Sequence, residues 1–97
     1  MVKIKDENVV AIRCTVSRGM FEDERAVHVE LSDGRTVSAF VDKEDVLVEE
    51  EPSAVSEVTG RVRVVVVKEN DKSVILDLPQ PTITNGPRVE VNKELLY

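Results

Sequence analysis

Two stretches of the chain read as β-hairpins of equal loop length, and they superimpose at a constant shift. The first runs Val27-His28-Val29-Glu30-Leu31, then Ser32-Asp33-Gly34, then Arg35-Thr36-Val37-Ser38-Ala39-Phe40-Val41. The second runs Val64-Val65-Val66-Val67-Lys68, then Glu69-Asn70-Asp71, then Lys72-Ser73-Val74-Ile75-Leu76-Asp77-Leu78. A shift of 37 residues carries Val27 to Val64, Arg35 to Lys72, Val37 to Val74 and Val41 to Leu78. A repeated unit constrains architecture more than any single strand, because each copy must bury an equivalent face.

Register sets the loop length. A two-residue turn at Asp33-Gly34 would pair Val29 with Ser38 and mix polar with apolar side chains on both faces. A three-residue loop, Ser32-Asp33-Gly34, pairs Val29 with Val37 and Val27 with Ala39, and it needs a residue of positive φ where Gly34 stands. The same rule in the second copy pairs Val66 with Val74, Val64 with Leu76 and Val62 with Leu78, with Asp71 in the glycine's place. Arg63 then faces Asp77 as an opposite-charge pair.

The rest of the chain is also strand-like. Val10, Ile12, Cys14 and Val16 alternate onto one face of a strand over residues 9–17, and residues 2–4 suggest a short strand before a polar turn at Asp6-Glu7-Asn8. Asp42-Lys43-Glu44-Asp45 resembles a helix start of one or two turns, with Asp42 as N-cap. Glu49-Glu50-Glu51-Pro52-Ser53 is a solvated linker between halves. Thr82-Ile83-Thr84, bracketed by prolines, suits a sheet edge, and Arg88-Val89-Glu90-Val91 a last strand. Val41-Asp42-Lys43-Glu44-Asp45-Val46-Leu47 also resembles Val91-Asn92-Lys93-Glu94-Leu95-Leu96-Tyr97, at a shift of 50 residues. Taken with the hairpin shift, this suggests a duplicated unit with an insertion in the second half.

The expected fold is therefore all-β with one or two short helical turns. It is a small closed or partly open β-barrel of two similar hairpin units over residues 1–97, in an OB-like element order. A two-layer β-sandwich is the alternative. Closing the sheet would remove the edges that a valine-rich chain must protect.

Composition excludes several function classes. The single cysteine, Cys14, rules out an internal disulfide or a multi-cysteine metal site, and its apolar neighbours make it a core thiol. No apolar leader and no run near 18 apolar residues is present, so a cytoplasmic protein without a membrane span is expected. No glycine-rich phosphate loop or metal-ligand spacing occurs, and no cofactor is inferred. The net charge of −6 opposes binding to a phosphate backbone and is compatible with a basic protein partner or with plain solubility.

No catalytic constellation stands out. His28, the only histidine, falls on the outer face beside Glu30 and opposite Ser38, but polar residues together on an exposed strand face follow from alternation alone. The sharper feature is a difference between the hairpins. Outer positions of the first are His28, Glu30, Thr36 and Ser38; their counterparts in the second are Val65, Val67, Ser73 and Ile75. Leaving Val65, Val67 and Ile75 in water would forfeit roughly 1.5–3 kcal/mol each, so a cover is expected. It would come from Leu95, Leu96 and Tyr97, from Val46 and Leu47, or from another protein surface. The leading expectation is a non-enzymatic protein-interaction or self-association module using Val65, Val67 and Ile75. The alternative is a nucleic-acid-binding barrel using Arg61, Arg63 and Phe40, the one phenylalanine expected on a central strand, while Phe21 lies in the acidic loop.

Overall fold

A computed structural model describes residues 9–84 and 86–96. The strand expected at residues 2–4, the turn at Asp6-Glu7-Asn8 and the terminal Tyr97 lie outside the described residues. The strands are β1 (Val9–Arg18), β2 (Glu24–Glu30), β3 (Thr36–Asp42), β4 (Val46–Leu47), β5 (Val58–Glu69), β6 (Ser73–Asp77) and β7 (Arg88–Asn92). Short 3-10 turns at Lys43–Asp45 and Lys93–Leu96 follow β3 and β7. Among the described residues all seven strands belong to one antiparallel sheet, ordered β3-β2-β1-β5-β6-β7, with β4 paired to β5. The sheet curls into a half-barrel, so the chain is all-β and partly open rather than a sandwich.

Alternation decides which face is inside. Ile12, Cys14 and Val16 of β1 meet Val27 and Val29 of β2, Val37, Ala39 and Val41 of β3, Val62 and Val64 of β5, Val74 and Leu76 of β6, and Val89 and Val91 of β7. Because β1 pairs with β5 along Val58–Val65, β4 must share the opposite edge of β5 with β6. The open ends of the sheet are drawn together by the segment after β6. Thr82 bridges Ala39, the Ile83 N–H donates to Ser38 O at 2.9 Å, and the Ser32 N–H at the β2–β3 tip donates to Glu90 O at 2.9 Å. The Thr82 segment thus lies at a sheet edge, as its prolines imply.

The first hairpin has the expected register, Val27 opposite Ala39 and Val29 opposite Val37. Gly34 takes φ 91°, and the Gly34 N–H donates to Leu31 O at 3.0 Å. The second hairpin departs from expectation. Val65 faces Asp77 and Val66 faces Leu76, then Lys68 faces Ile75, leaving Val67 as an extra residue in a β-bulge. The turn closes over Asp71-Lys72, with the Asn70 N–H donating to Ser73 O at 2.9 Å. Asp71 does not take the glycine's role: among the described residues no non-glycine residue has positive φ. Arg63 lies opposite Ala11, and Asp77 pairs instead with Arg88 of β7 at 2.9 and 3.1 Å.

The shift of 37 residues is not the structural repeat. β1-β2-β3 and β5-β6-β7 are two equivalent meanders, each closed by a 3-10 turn. Shifting β1, β3 and the first turn by 50 residues, and β2 by 49, reproduces the second meander's registers up to the bulge at Val67, beyond which β5 runs one residue ahead. Thr15 opposite His28 becomes Val65 opposite Asp77, Val16 opposite Val27 becomes Val66 opposite Leu76, and Ala39 opposite Val27 becomes Val89 opposite Leu76. One backbone bond recurs too. Lys43 N–H donates to Asp23 O at 2.7 Å and Lys93 N–H to Lys72 O at 2.9 Å, each acceptor directly preceding the middle strand of its meander. The self-equivalent pair is Ile12 opposite Val62, both fully buried, which places the local two-fold there. The insertion suggested by the sequence is not needed.

The linker is anchored rather than free. Arg25 of β2 bonds Glu51 at 2.9 Å, and Arg18 Nε donates to Pro52 O at 3.3 Å. Asp42 precedes the first 3-10 turn without a side-chain cap, so the expected helix amounts to three residues.

Candidate functional site

Of the expected contact residues, Val65 and Val67 stay 42% and 45% exposed, and Ile75 is half-buried. Val65 and Ile75 share the outer face of β5–β6, since Val65 pairs with Asp77 and Ile75 with Glu90, while Val67 sits at the bulge between them. Leu95, Leu96 and Val46 pack against the core, and among the described residues none hides Val65 or Val67 from solvent. Leu47 is itself exposed. Beside the patch is a groove of about 420 Å³ lined by Asp45, Arg63, Val65, Asp77, Leu78 and Pro79.

The residues of the nucleic-acid alternative are not brought together. Arg61 Nη1 donates to Ala11 O at 3.4 Å and lies opposite Arg13, whose Nη2 is held by Glu94 O at 2.8 Å. Phe40 stands on β3, which ends the sheet order rather than occupying its middle. Three strand spacings and four residues along the strand separate it from Arg61, roughly 20 Å over the sheet surface.

His28 is more constrained than the sequence indicates. Ser17 Oγ lies 2.9 Å from its Nε2 and Ser38 Oγ 2.7 Å from its Nδ1, forming a row across β1, β2 and β3. A neutral imidazole donates to one hydroxyl and accepts from the other. Glu30 faces Thr36 instead, so both ring nitrogens are taken by hydroxyls and no carboxylate orients the ring. Ser17 escaped the sequence reading because the β1–β2 register has no turn signature to fix it.

Cys14 is a core thiol. Burial pushes it up to about 12, against a smaller opposing pull from the Arg61 charge. No group of three or more His, Cys, Asp or Glu side chains among the described residues could hold a metal ion. No helix among them is long and apolar enough to cross a membrane.

A second apolar surface was not anticipated. Met20 and Phe21, in the β1–β2 turn, are strongly exposed, and Phe21 and Phe40 line one groove of about 290 Å³ with Asp23, Glu24, Val41, Asp42 and Gln80. The Glu24 N–H donates to Phe21 O at 3.0 Å and closes the turn on itself, and the Lys43 N–H, just after β3, donates to Asp23 O at 2.7 Å and ties the turn to the end of β3. Glu24 faces Asp42 across β2–β3, which brings the two phenylalanines to the same end of the sheet.

No family model, curated protein or solved structure matches the chain.

Proposed function

We propose that this chain is a non-enzymatic interaction domain that self-associates through the outer face of β5–β6, at Val65, Val67 and Ile75. One observation carries the reading. The position equivalent to Val65 in the first meander is Thr15, and Val67 is a bulge residue with no counterpart there, so the fold does not demand apolar side chains at either place. Burying the exposed parts of the two valines in an interface would contribute roughly 1 kcal/mol each. β5 and β6 each lie between two paired strands, so the face rather than an edge is the contact. A net charge of −6 and a single buried thiol suit a cytosolic protein of this kind.

Sedimentation velocity over a concentration series tests this with the wild type and the Val65→Glu, Val67→Glu double variant. The expected result is a wild type that grows heavier than 10.8 kDa with concentration and a folded double variant that does not. A wild type that sediments as a monomer throughout overturns the proposal.

A further inference from the structure

Both phenylalanines of this chain are on the surface, Phe21 at 71% and Phe40 at 42% exposure, and they border the same groove. Aromatic rings of a domain this size ordinarily enter its core, since they bury more apolar area than any valine. Here the core is built without phenylalanine, and both rings are presented to solvent at one end of the sheet.

Every ionisable group lining that groove is a carboxylate: Asp23, Glu24 and Asp42. Glu24 Oε1 is held by the Met20 N–H at 2.7 Å, which fixes one carboxylate beside the rings. Among the described residues neither Asp23 nor Asp42 makes an ion pair. The nearby cations are otherwise engaged or face elsewhere. Arg25 is bound by Glu51 and by the carbonyls of Glu22 and Glu24, and Arg18 by the carbonyl of Pro52. Lys43 borders a neighbouring cavity together with Asp23 and Asp42 and another with Phe21, but not the groove holding both rings, and it forms no ion pair with either carboxylate.

The fold does not require this chemistry. In the second meander the positions equivalent to Phe40, Asp42, Glu24 and Asp23 are Glu90, Asn92, Ser73 and Lys72. The same backbone arrangement there carries no aromatic ring and only one carboxylate.

We propose that the Phe21–Phe40 groove binds a single cationic side chain, lysine or arginine, presented by a basic segment of a partner protein. The faces of the rings attract a cation through their quadrupoles, and the carboxylates supply the counter-charge. A groove of about 290 Å³, at the lower end of the usual range for ligand pockets, has room for one side-chain terminus with its adjoining methylenes. This surface is separate from the β5–β6 face, so the two proposals stand or fall independently.

The test is a titration of the ¹⁵N-labelled protein with short blocked peptides that differ at one central residue: lysine, arginine or norleucine. The lysine or arginine peptide should produce saturable amide shifts confined to the segments around Phe21, Glu24, Phe40 and Asp42, fading as salt is raised. Phe40→Ala should weaken that binding about three- to fivefold. Asp42→Asn, nearly isosteric, should weaken it about two- to fivefold. Both residues are exposed, and spectral dispersion verifies that each variant is folded. The Val65→Glu, Val67→Glu protein should bind the peptide as the wild type does. Absence of saturable shifts overturns the proposal. So does equal binding of the norleucine peptide, which would mark a plain apolar groove, and so does undiminished binding by folded Phe40→Ala.

Discussion

Replacing Gly60 by alanine sets two opposing effects against each other. Glycine inside a strand ordinarily costs stability relative to alanine, by about 0.5–1 kcal/mol, because it loses more backbone freedom on folding. Gly60 faces the core opposite Cys14, and the chain leaving β4 lies directly over it. A Cβ there would stand 2.6 Å from Val48 Cγ1, 2.8 Å from the backbone oxygen of Leu47 and 3.1 Å from Val16 Cγ2. A valine methyl can rotate aside, but the Leu47 carbonyl is fixed by the pairing of β4 with β5. Overpacking of this kind costs about 1–3 kcal/mol. The clash outweighs the entropic gain, leaving a net destabilisation of about 1–2 kcal/mol. For a domain of this size that lowers Tm by about 5–15 °C. Calorimetry and urea unfolding measure it, with two other glycines as references. Gly86→Ala meets nothing within 4 Å and should be neutral or slightly stabilising. Gly34→Ala should cost about 1–2 kcal/mol for a different reason, its φ of 91°. Adding Val48→Ala to Gly60→Ala should recover only part of the loss, since the carbonyl remains. A Gly60→Ala protein as stable as the wild type would refute this close approach of β4 to β5.

Two further outcomes follow from ionisable groups. Cys14, buried and pushed up to about 12, should react with a disulfide reagent at pH 8 only as fast as the domain opens; stoichiometric labelling of native protein within the mixing time would contradict its place in the core. Asp77 is held below the usual carboxylate range by hydrogen bonds from Arg88 and then by that residue's charge. A depressed carboxyl adds stability that is complete above its unfolded-state value, about 4, and is lost as pH falls through the folded value. Arg88→Gln should therefore lower the urea midpoint at pH 7 and leave it nearly unchanged near pH 2; an equal loss at both would assign the effect to packing.

What the sequence made legible is what alternation and glycine can encode. The first hairpin's register was readable because His28, Glu30, Thr36 and Ser38 punctuate its valines, and a single glycine marks the one left-handed position. The second was not, because Val64-Val65-Val66-Val67 has no alternation to fix it: a slip of one residue still places a valine inside. The bulge at Val67 uses that degeneracy. The serine–histidine row and the Phe21–Phe40 groove were hidden for another reason. The row needs the β1–β2 pairing and the groove needs the placing of the turn at residues 19–23, and that turn gives no hydrophobic pattern from which either follows. The resemblance between residues 41–44 and 91–94 held the true repeat, but the valine-rich hairpins offered a stronger and misleading alignment.

The two meanders show which positions the fold constrains. Inward positions remain apolar in both: Ile12 and Val62, Cys14 and Val64, Val27 and Leu76, Ala39 and Val89, Val41 and Val91. A change at one of these alters the packing that both meanders share, and large-to-small replacement in such a core costs about 2–5 kcal/mol. Outward positions carry no such constraint, and there the halves differ in kind. Thr15 answers to Val65, Ser17 to Lys68, His28 to Asp77, Phe40 to Glu90 and Asp42 to Asn92, and the bulged Val67 has no counterpart. Surface polarity that differs between equivalent sites on one scaffold is not explained by the scaffold. The first meander bears the aromatic, acidic groove and the second the uncovered valines, so each half offers a surface that its counterpart lacks. Taken together, the two proposals make the domain a link between a basic partner and a further copy of itself, and they require that mutating each face abolish one of the two contacts and leave the other.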